Sequence, residues 1–179
     1  LGGTAASGTG NADANVLTGN AADNTLDGSA GSDSLAGGVG NDTYVVDTTT
    51  DSVRESAGQG TDTVQALVSY SLGANVENLI LTGTAASGTG NADANVLTGN
   101  ASSNTLNGGA GADSLAGGAG NDTYIVDSIA DSVSESLGQG ADSIQASVSY
   151  TLSANVENLT LTGTAASGTG NADANVLTG

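Results

Sequence analysis

The chain has no His, Cys, Pro, Met, Trp or Phe, and its single basic side chain, Arg54, stands against 19 acidic ones, a formal net charge of −18 over 179 residues. Without Cys there is no disulfide framework and no thiolate; without His as well, the donors that zinc, copper and iron prefer are missing. Nucleophilic and acid–base catalysis lose their usual agents, because His, Cys and Lys are absent and the carboxylates carry no pocket signal, so the chain is read as not an enzyme. A polyanion of this density repels phosphate backbones and anionic bilayers, which argues against nucleic acid as a partner and against membrane attachment by charge. No run of about 18 apolar residues is present to cross a membrane. The counter-ions it attracts are cations. The chain opens at Leu1 rather than Met and is read as a segment of something longer.

What is present is repetition. Residues 81–160 reproduce residues 1–80 at 60 of 80 positions, and residues 161–179 reproduce 81–99 throughout. The chain therefore divides into repeat 1 (1–80), repeat 2 (81–160) and the start of repeat 3 (161–179), expected to form one continuous solenoid. A nine-residue period runs inside each repeat, through Leu17, Leu26, Leu35 and Tyr44 and again through Leu97, Leu106, Leu115 and Tyr124. Each unit is a few Gly, Asn, Asp or Ser residues followed by a short segment with one large apolar side chain, enough for one turn and one strand. Such a unit cannot bury its apolar residue alone, but stacked two to a coil of 18 the apolar positions superpose into a narrow core.

Helices find no support, since glycine is frequent, β-branched residues are plentiful and no 3.6-residue stripe persists. The fold class is all-β, a parallel β-roll or β-helix solenoid of about four coils per repeat. Two coils are tight and glycine-rich. Two are looser, "GQGTDTV" (Gly58–Val64) repeating the form of "GVGNDTY" (Gly38–Tyr44) at a distance of 20 rather than 18. Nine coils stacked at about 4.8 Å make a slender rod about 43 Å long. Leu17, Leu35, Val53, Leu97, Leu115 and Val133 are expected on one inward ladder, with Leu26, Tyr44, Val64, Leu106, Tyr124 and Ile144 on the opposite one.

The turns carry the chemistry. Glycines let the chain reverse tightly with carbonyls directed inward, and an Asp at the turn's end sets a carboxylate beside them. Stacked turns then accumulate negative charge in a column, which a hard divalent cation converts from repulsion into coordination; calcium suits a flexible site of carbonyls and carboxylates better than magnesium does. The best-furnished pair is Asp42 with Asp62, repeated as Asp122 with Asp142, because both turns are G-x-G-x-D: Gly38 and Gly40, Gly58 and Gly60, Gly118 and Gly120, Gly138 and Gly140. Next is Asp33 with Asp51, repeated as Asp113 with Asp131, whose second turn lacks glycines. Turns ending in Asn, such as "GNADANVLT" from Gly10, are expected to bind calcium weakly or not at all, their amides stacking as a neutral ladder. Asp13, Asp93 and Asp173, with Glu55, Glu77, Glu135 and Glu157, read as solvated faces, the four tyrosines as core or edge packing, and Arg54 as a lone surface charge.

"GGVGNDTYV" (Gly37–Val45), "GGAGNDTYI" (Gly117–Ile125), "GGAGADSLA" (Gly108–Ala116) and the one-off "GSAGSDSLA" (Gly28–Ala36) resemble the nonapeptide G-G-x-G-x-D-x-U-x of RTX, or haemolysin-type, calcium-binding repeats. The resemblance implies a right-handed parallel β-roll, calcium between stacked turns, and bacterial secretion with folding outside the cell. The family's enzymes keep their catalytic modules separate from their repeats. Near-identical units with a third in phase point to many tandem copies, hence to length: a calcium-stabilised stalk of a surface adhesin or body of an extracellular fibre, with further copies of itself end to end or side by side as partners. The alternative is the calcium-folded secretion domain of a hydrolase or toxin. A Thr ladder that orders ice is a third reading and a weak one, since "GTGN" recurs only every 80 residues.

Overall fold

A computed structural model describes every residue from Leu1 to Gly179. It contains twenty short strands and no helix. Repeat 1 supplies β1 (Ser7–Thr9), β2 (Val16–Thr18), β3 (Thr25–Asp27), β4 (Ser34–Ala36), β5 (Thr43–Val46), β6 (Ser52–Val53), β7 (Thr63–Ala66), β8 (Tyr70–Ser71) and β9 (Asn78–Leu81). Then follow β10 (Ser87–Thr89), β11 (Val96–Thr98), β12 (Thr105–Asn107), β13 (Ser114–Ala116), β14 (Thr123–Val126), β15 (Ser132–Val133), β16 (Ser143–Ala146), β17 (Tyr150–Thr151), β18 (Asn158–Leu161), β19 (Gly168–Thr169) and β20 (Val176–Thr178).

Every pairing is parallel and joins a strand to the next but one, so odd and even strands build two opposite faces of a ten-coil solenoid. The odd face runs unbroken from β1 to β15 and the even face from β8 to β20. Most coils advance 18 residues, but each repeat has one of 20 (Thr43 opposite Thr63, Thr123 opposite Ser143) and one of 15 (Thr63 opposite Asn78, Ser143 opposite Asn158). Where the 20-residue coil gives way to the 15-residue one, the two-residue strands β6 and β8 do not pair, and the even face is interrupted; β15 and β17 repeat the interruption on the other face.

The coil count corrects the expected ladders. Ser7 opens β1 on the odd face, while its counterpart Ser87 opens β10 on the even face. One repeat is thus nine strands, or four and a half coils, and each repeat is turned half-way round the rod relative to the one before. Leu17, Leu35 and Val53 do share a ladder, as do Leu26, Tyr44 and Val64. The second ladder then continues through Leu79 into Leu97, Leu115 and Val133, which had been placed opposite. Leu106, Tyr124 and Ile144 correspondingly sit on the even face. The physical reason is the compact stretch after Val64, where a three-residue turn and a 15-residue coil fit an extra strand into what the nine-residue period reads as one loose coil.

Only about one side chain in two points inward from these strands, and with Leu72, Val76, Ala85, Leu152 and Val156 from the connecting segments they build a single core of 23 buried apolar residues, with Leu26, Tyr44, Leu97, Leu115, Tyr124 and Ile144 fully enclosed. Tyr70 and Tyr150 pack half-buried against it. Strand β9 crosses the boundary between repeats 1 and 2 and pairs with β7 on one side and β11 on the other.

Candidate metal centre

The turns stack along the two edges of the solenoid. Along one edge follow the turns ending at Asn24, Asp42, Asp62 and Glu77, then Asn95, Asp113 and Asp131. Along the other run Asn15, Asp33 and Asp51, and further on Asn104, Asp122, Asp142 and Glu157. The half-coil offset puts equivalent residues of the two repeats on opposite edges.

Each acidic turn end reaches back to the coil before it. Asp42 Oδ1 accepts from the Asn24 backbone N–H at 2.7 Å, Asp62 Oδ1 from that of Asp42 at 2.8 Å, and Glu77 Oε2 from that of Asp62 at 2.7 Å. Asp122, Asp142 and Glu157 repeat the series at 2.6, 2.8 and 2.7 Å. Only one oxygen of each carboxylate is occupied this way. Asp42 Oδ2 folds back over Gly37, where a Cβ would lie 2.0 Å from it, and Asp122 Oδ2 likewise over Gly117. Glycine is required at both positions by this approach.

Asp42 with Asp62, and Asp122 with Asp142, are brought together as the sequence suggests, and a third carboxylate joins each pair: Glu55 in repeat 1, Glu135 in repeat 2, with one oxygen from each of the three residues within 4.8 Å of the others. The Tyr44 hydroxyl donates to Glu55 Oε1 and accepts from Gly37 N–H at 2.7 Å; Tyr124, Glu135 and Gly117 repeat the arrangement. Glu55, Glu77, Glu135 and Glu157 are therefore not the solvated faces their spacing suggested. Glu135 is 9% exposed, and Glu77 and Glu157 accept from the backbone N–H groups of Asp62 and Asp142. A signal for Glu55 and Glu135 did exist: in each repeat a Tyr at the nonapeptide's apolar position precedes a Glu by 11 residues.

Asp33 and Asp51, and Asp113 and Asp131, also stack, at 3.0 and 3.1 Å from backbone N–H to carboxylate. No third carboxylate completes either pair at that radius. Asp51 is already satisfied within its own turn, Oδ2 accepting from the Asp47 and Thr48 N–H groups and Oδ1 from the Thr48 hydroxyl. Of the glycines, Gly38 and Gly40 take φ of 95° and 131°, Gly118 and Gly120 88° and 121°, and Gly58 and Gly138 74° and 77°, the region that favours glycine. Gly60 and Gly140 lie instead under the carbonyls of Gly40 and Gly120.

Asn turns solve the same contact without charge. Asn104 Oδ1 accepts from Asn100 N–H in its own turn, and its Nδ2 donates to the Ala85 carbonyl of the preceding coil at 2.9 Å. Asn95 does the same to Asn91 and Val76. In each case the amide hydrogens satisfy a carbonyl of the preceding coil.

Asp turns lack such donors. Every buried side-chain polar atom without a hydrogen-bond partner is a carboxylate oxygen: Asp33 Oδ2, Asp42 Oδ2, Asp47 Oδ1, Asp113 Oδ2, Asp122 Oδ2 and Glu135 Oε2. Burial, joined by neighbouring negative charge, pushes Asp62 up to about 6 and Glu135 up to about 7, and raises Asp42, Asp122 and Asp142. Unpartnered, buried, all-oxygen and clustered, these donors fit a hard divalent cation and no softer metal.

A pH dependence follows. Carboxylates whose folded pKa lies above the unfolded value favour the fold while they hold their protons, so their contribution is complete below about pH 4 and is lost as pH rises through 6 and 7. Calcium must displace those protons, so its affinity rises over the same window. In chelator, the β signal in circular dichroism is expected to be larger at pH 5 than at pH 8; in saturating calcium the melting temperature is expected to be higher at pH 8. The same pH trend under both conditions would contradict the buried-carboxylate account.

The family model of the RTX calcium-binding nonapeptide repeat matches residues 9–44 and 89–124, in four copies. These blocks are RTX repeats, and RTX repeats bind calcium. No curated protein matches the chain significantly. The matched blocks end at Tyr44 and Tyr124, short of Glu55, Asp62, Glu135 and Asp142.

Proposed function

We propose that the chain is a calcium-stapled length of a secreted bacterial rod, the stalk of a surface adhesin or the body of an extracellular fibre. Calcium lies between the turns ending at Asp42 and Asp62 and between those ending at Asp122 and Asp142, with a second kind of site at Asp33 and Asp51 and at Asp113 and Asp131. Carboxylates and inward carbonyls of the glycine turns supply the oxygens. The observation that carries this reading is strand β9, which spans the repeat boundary and leaves no linker at which one repeat could hinge against the next. Adding repeats therefore adds length and stiffness. Because the half-turn offset alternates the two edges, two consecutive repeats present both kinds of acidic turn on each edge, and the staples hold both sides of the rod.

Small-angle scattering in millimolar calcium from chains of two, four and eight repeats tests it. Each added repeat is expected to lengthen the particle by about 22 Å, four and a half spacings of about 4.8 Å, at constant cross-section. Added repeats that bend back or collapse into separate globules would defeat a stalk.

A further inference from the structure

We infer that Glu55 and Glu135, residues of the segment between nonapeptide blocks, are direct calcium ligands that complete a three-carboxylate site at the end of each block. The inference rests on the calcium reading of Asp42 with Asp62 and Asp122 with Asp142, and extends it to a residue that no nonapeptide contains. Both repeats show the cluster, with one oxygen from each of the three residues within 4.8 Å of the others. The cluster is more than exposed acid. Asp42 and Asp122 are each 1% exposed with Oδ2 unpartnered, and Glu135 is 9% exposed with Oε2 unpartnered.

These oxygens converge. Over Gly37, a Cβ would meet Asp42 Oδ2 at 2.0 Å and the Tyr44 hydroxyl at 2.5 Å, and that hydroxyl holds Glu55 Oε1. Over Gly117 the values are 2.1 and 2.5 Å, with Tyr124 holding Glu135. Gly37 N–H also donates to Glu55 Oε1 at 3.0 Å, and Gly117 N–H to Glu135 Oε1 at 3.2 Å. One oxygen of the glutamate is thus fixed by protein donors, and the other is left for an ion.

The position in the fold gives the reason for a glutamate. After Asp42 the coil lengthens to 20 residues, so the next turn carries extra residues ahead of its G-x-G-x-D end, and Glu55 lies among them. A side chain one methylene longer than Asp, entering from the start of that longer turn, reaches back over the preceding coil to Gly37 in repeat 1 and Gly117 in repeat 2. The site closes the block where the regular stack of turns ends.

Calcium titration of the full chain by calorimetry, beside Glu135→Gln and Glu55→Gln/Glu135→Gln, tests the assignment. The number of bound ions is expected to fall by one in the single variant and by two in the double one, the remaining sites keeping their affinity. Unchanged stoichiometry with affinities within twofold of wild type would overturn the glutamate assignment and leave calcium binding intact. A wild type that binds no calcium would instead overturn the reading beneath it. Should a variant fail to fold, anomalous maps of wild-type crystals grown with Tb³⁺ decide: an ion within about 2.6 Å of a Glu135 oxygen supports the site, and an ion bound only by Asp122 and Asp142 removes the glutamate from it.

Discussion

In chelator at pH 8 the chain is expected to be an extended coil, and calcium added to the millimolar range is expected to convert it cooperatively to parallel β structure. Two quantities set the size of the effect. An ion that binds only the folded state stabilises it by about 2.7 kcal/mol when its free concentration is 100 times the dissociation constant. Four proposed sites at that loading add about 11 kcal/mol, as much as the whole stability of an ordinary domain, about 5 to 15 kcal/mol. Against this, the calcium-free fold must keep acidic side chains such as Asp33, Asp42, Asp62, Asp113, Asp122 and Asp142 buried with at most 2% exposure on a chain of net charge −18. An affinity near 10⁻⁴ M, the tighter end of the range of extracellular modules, puts that loading at about 10 mM calcium and leaves the sites empty in a low-calcium cytoplasm. Under the proposed secretion, the chain would leave the cell unfolded and fold on arrival, with no thiol to oxidise. Circular dichroism from a chelated start reads the transition directly. Full β signal in chelator would mean that the apolar ladders and the Asn turns suffice to hold the solenoid.

Replacing Gly140 with Ala is expected to be, with the equivalent change at Gly60, the most damaging single-methyl change in the acidic turns. A Cβ there would lie 1.7 Å from the Gly120 carbonyl oxygen of the preceding coil, and 3.2 Å from Asp142 Oδ1. The nearer obstacle is backbone of the stacked turn, so relief requires the coils to separate. An overpacked core site costs about 1 to 3 kcal/mol, and a backbone clash of this depth belongs at the upper end. For a chain of this length that corresponds to a melting temperature lower by about 6 to 12 °C in saturating calcium. Gly138→Ala is the control. Its φ of 77° makes an added Cβ strained, yet nothing lies within 4 Å of it, so only the local conformational cost of about 1 to 2 kcal/mol applies. Thermal melts that rank Gly138→Ala equal to or worse than Gly140→Ala would show that the close approach of the coils is not what glycine serves here.

Much of this protein was legible in its sequence because a solenoid is nearly one-dimensional: the apolar residue every nine positions, the glycine turns and the Asp at their ends act between neighbours only, so periodicity alone determines an all-β stack, an inward Leu26, Tyr44 and Val64, and calcium rather than a softer metal. The departures from period could not be read the same way. Whether the stretch from Thr63 to Leu81 makes two strands or three depends on how tightly it turns at residues 67–69, and that half coil decides which face every residue of repeat 2 occupies. Glu55 shows the same limit at the scale of one side chain. Its distance in sequence from Asp42 and Asp62 has no meaning until the 20-residue coil sets the wide turn beside the last tight one, where a hydroxyl from Tyr44 and an N–H from Gly37 hold a carboxylate that composition alone assigns to solvent. Local chemistry fixes what a repeating turn prefers; only the stacking of unequal coils decides which distant groups share one site, because that sharing is set by where the chain returns, not by what it contains.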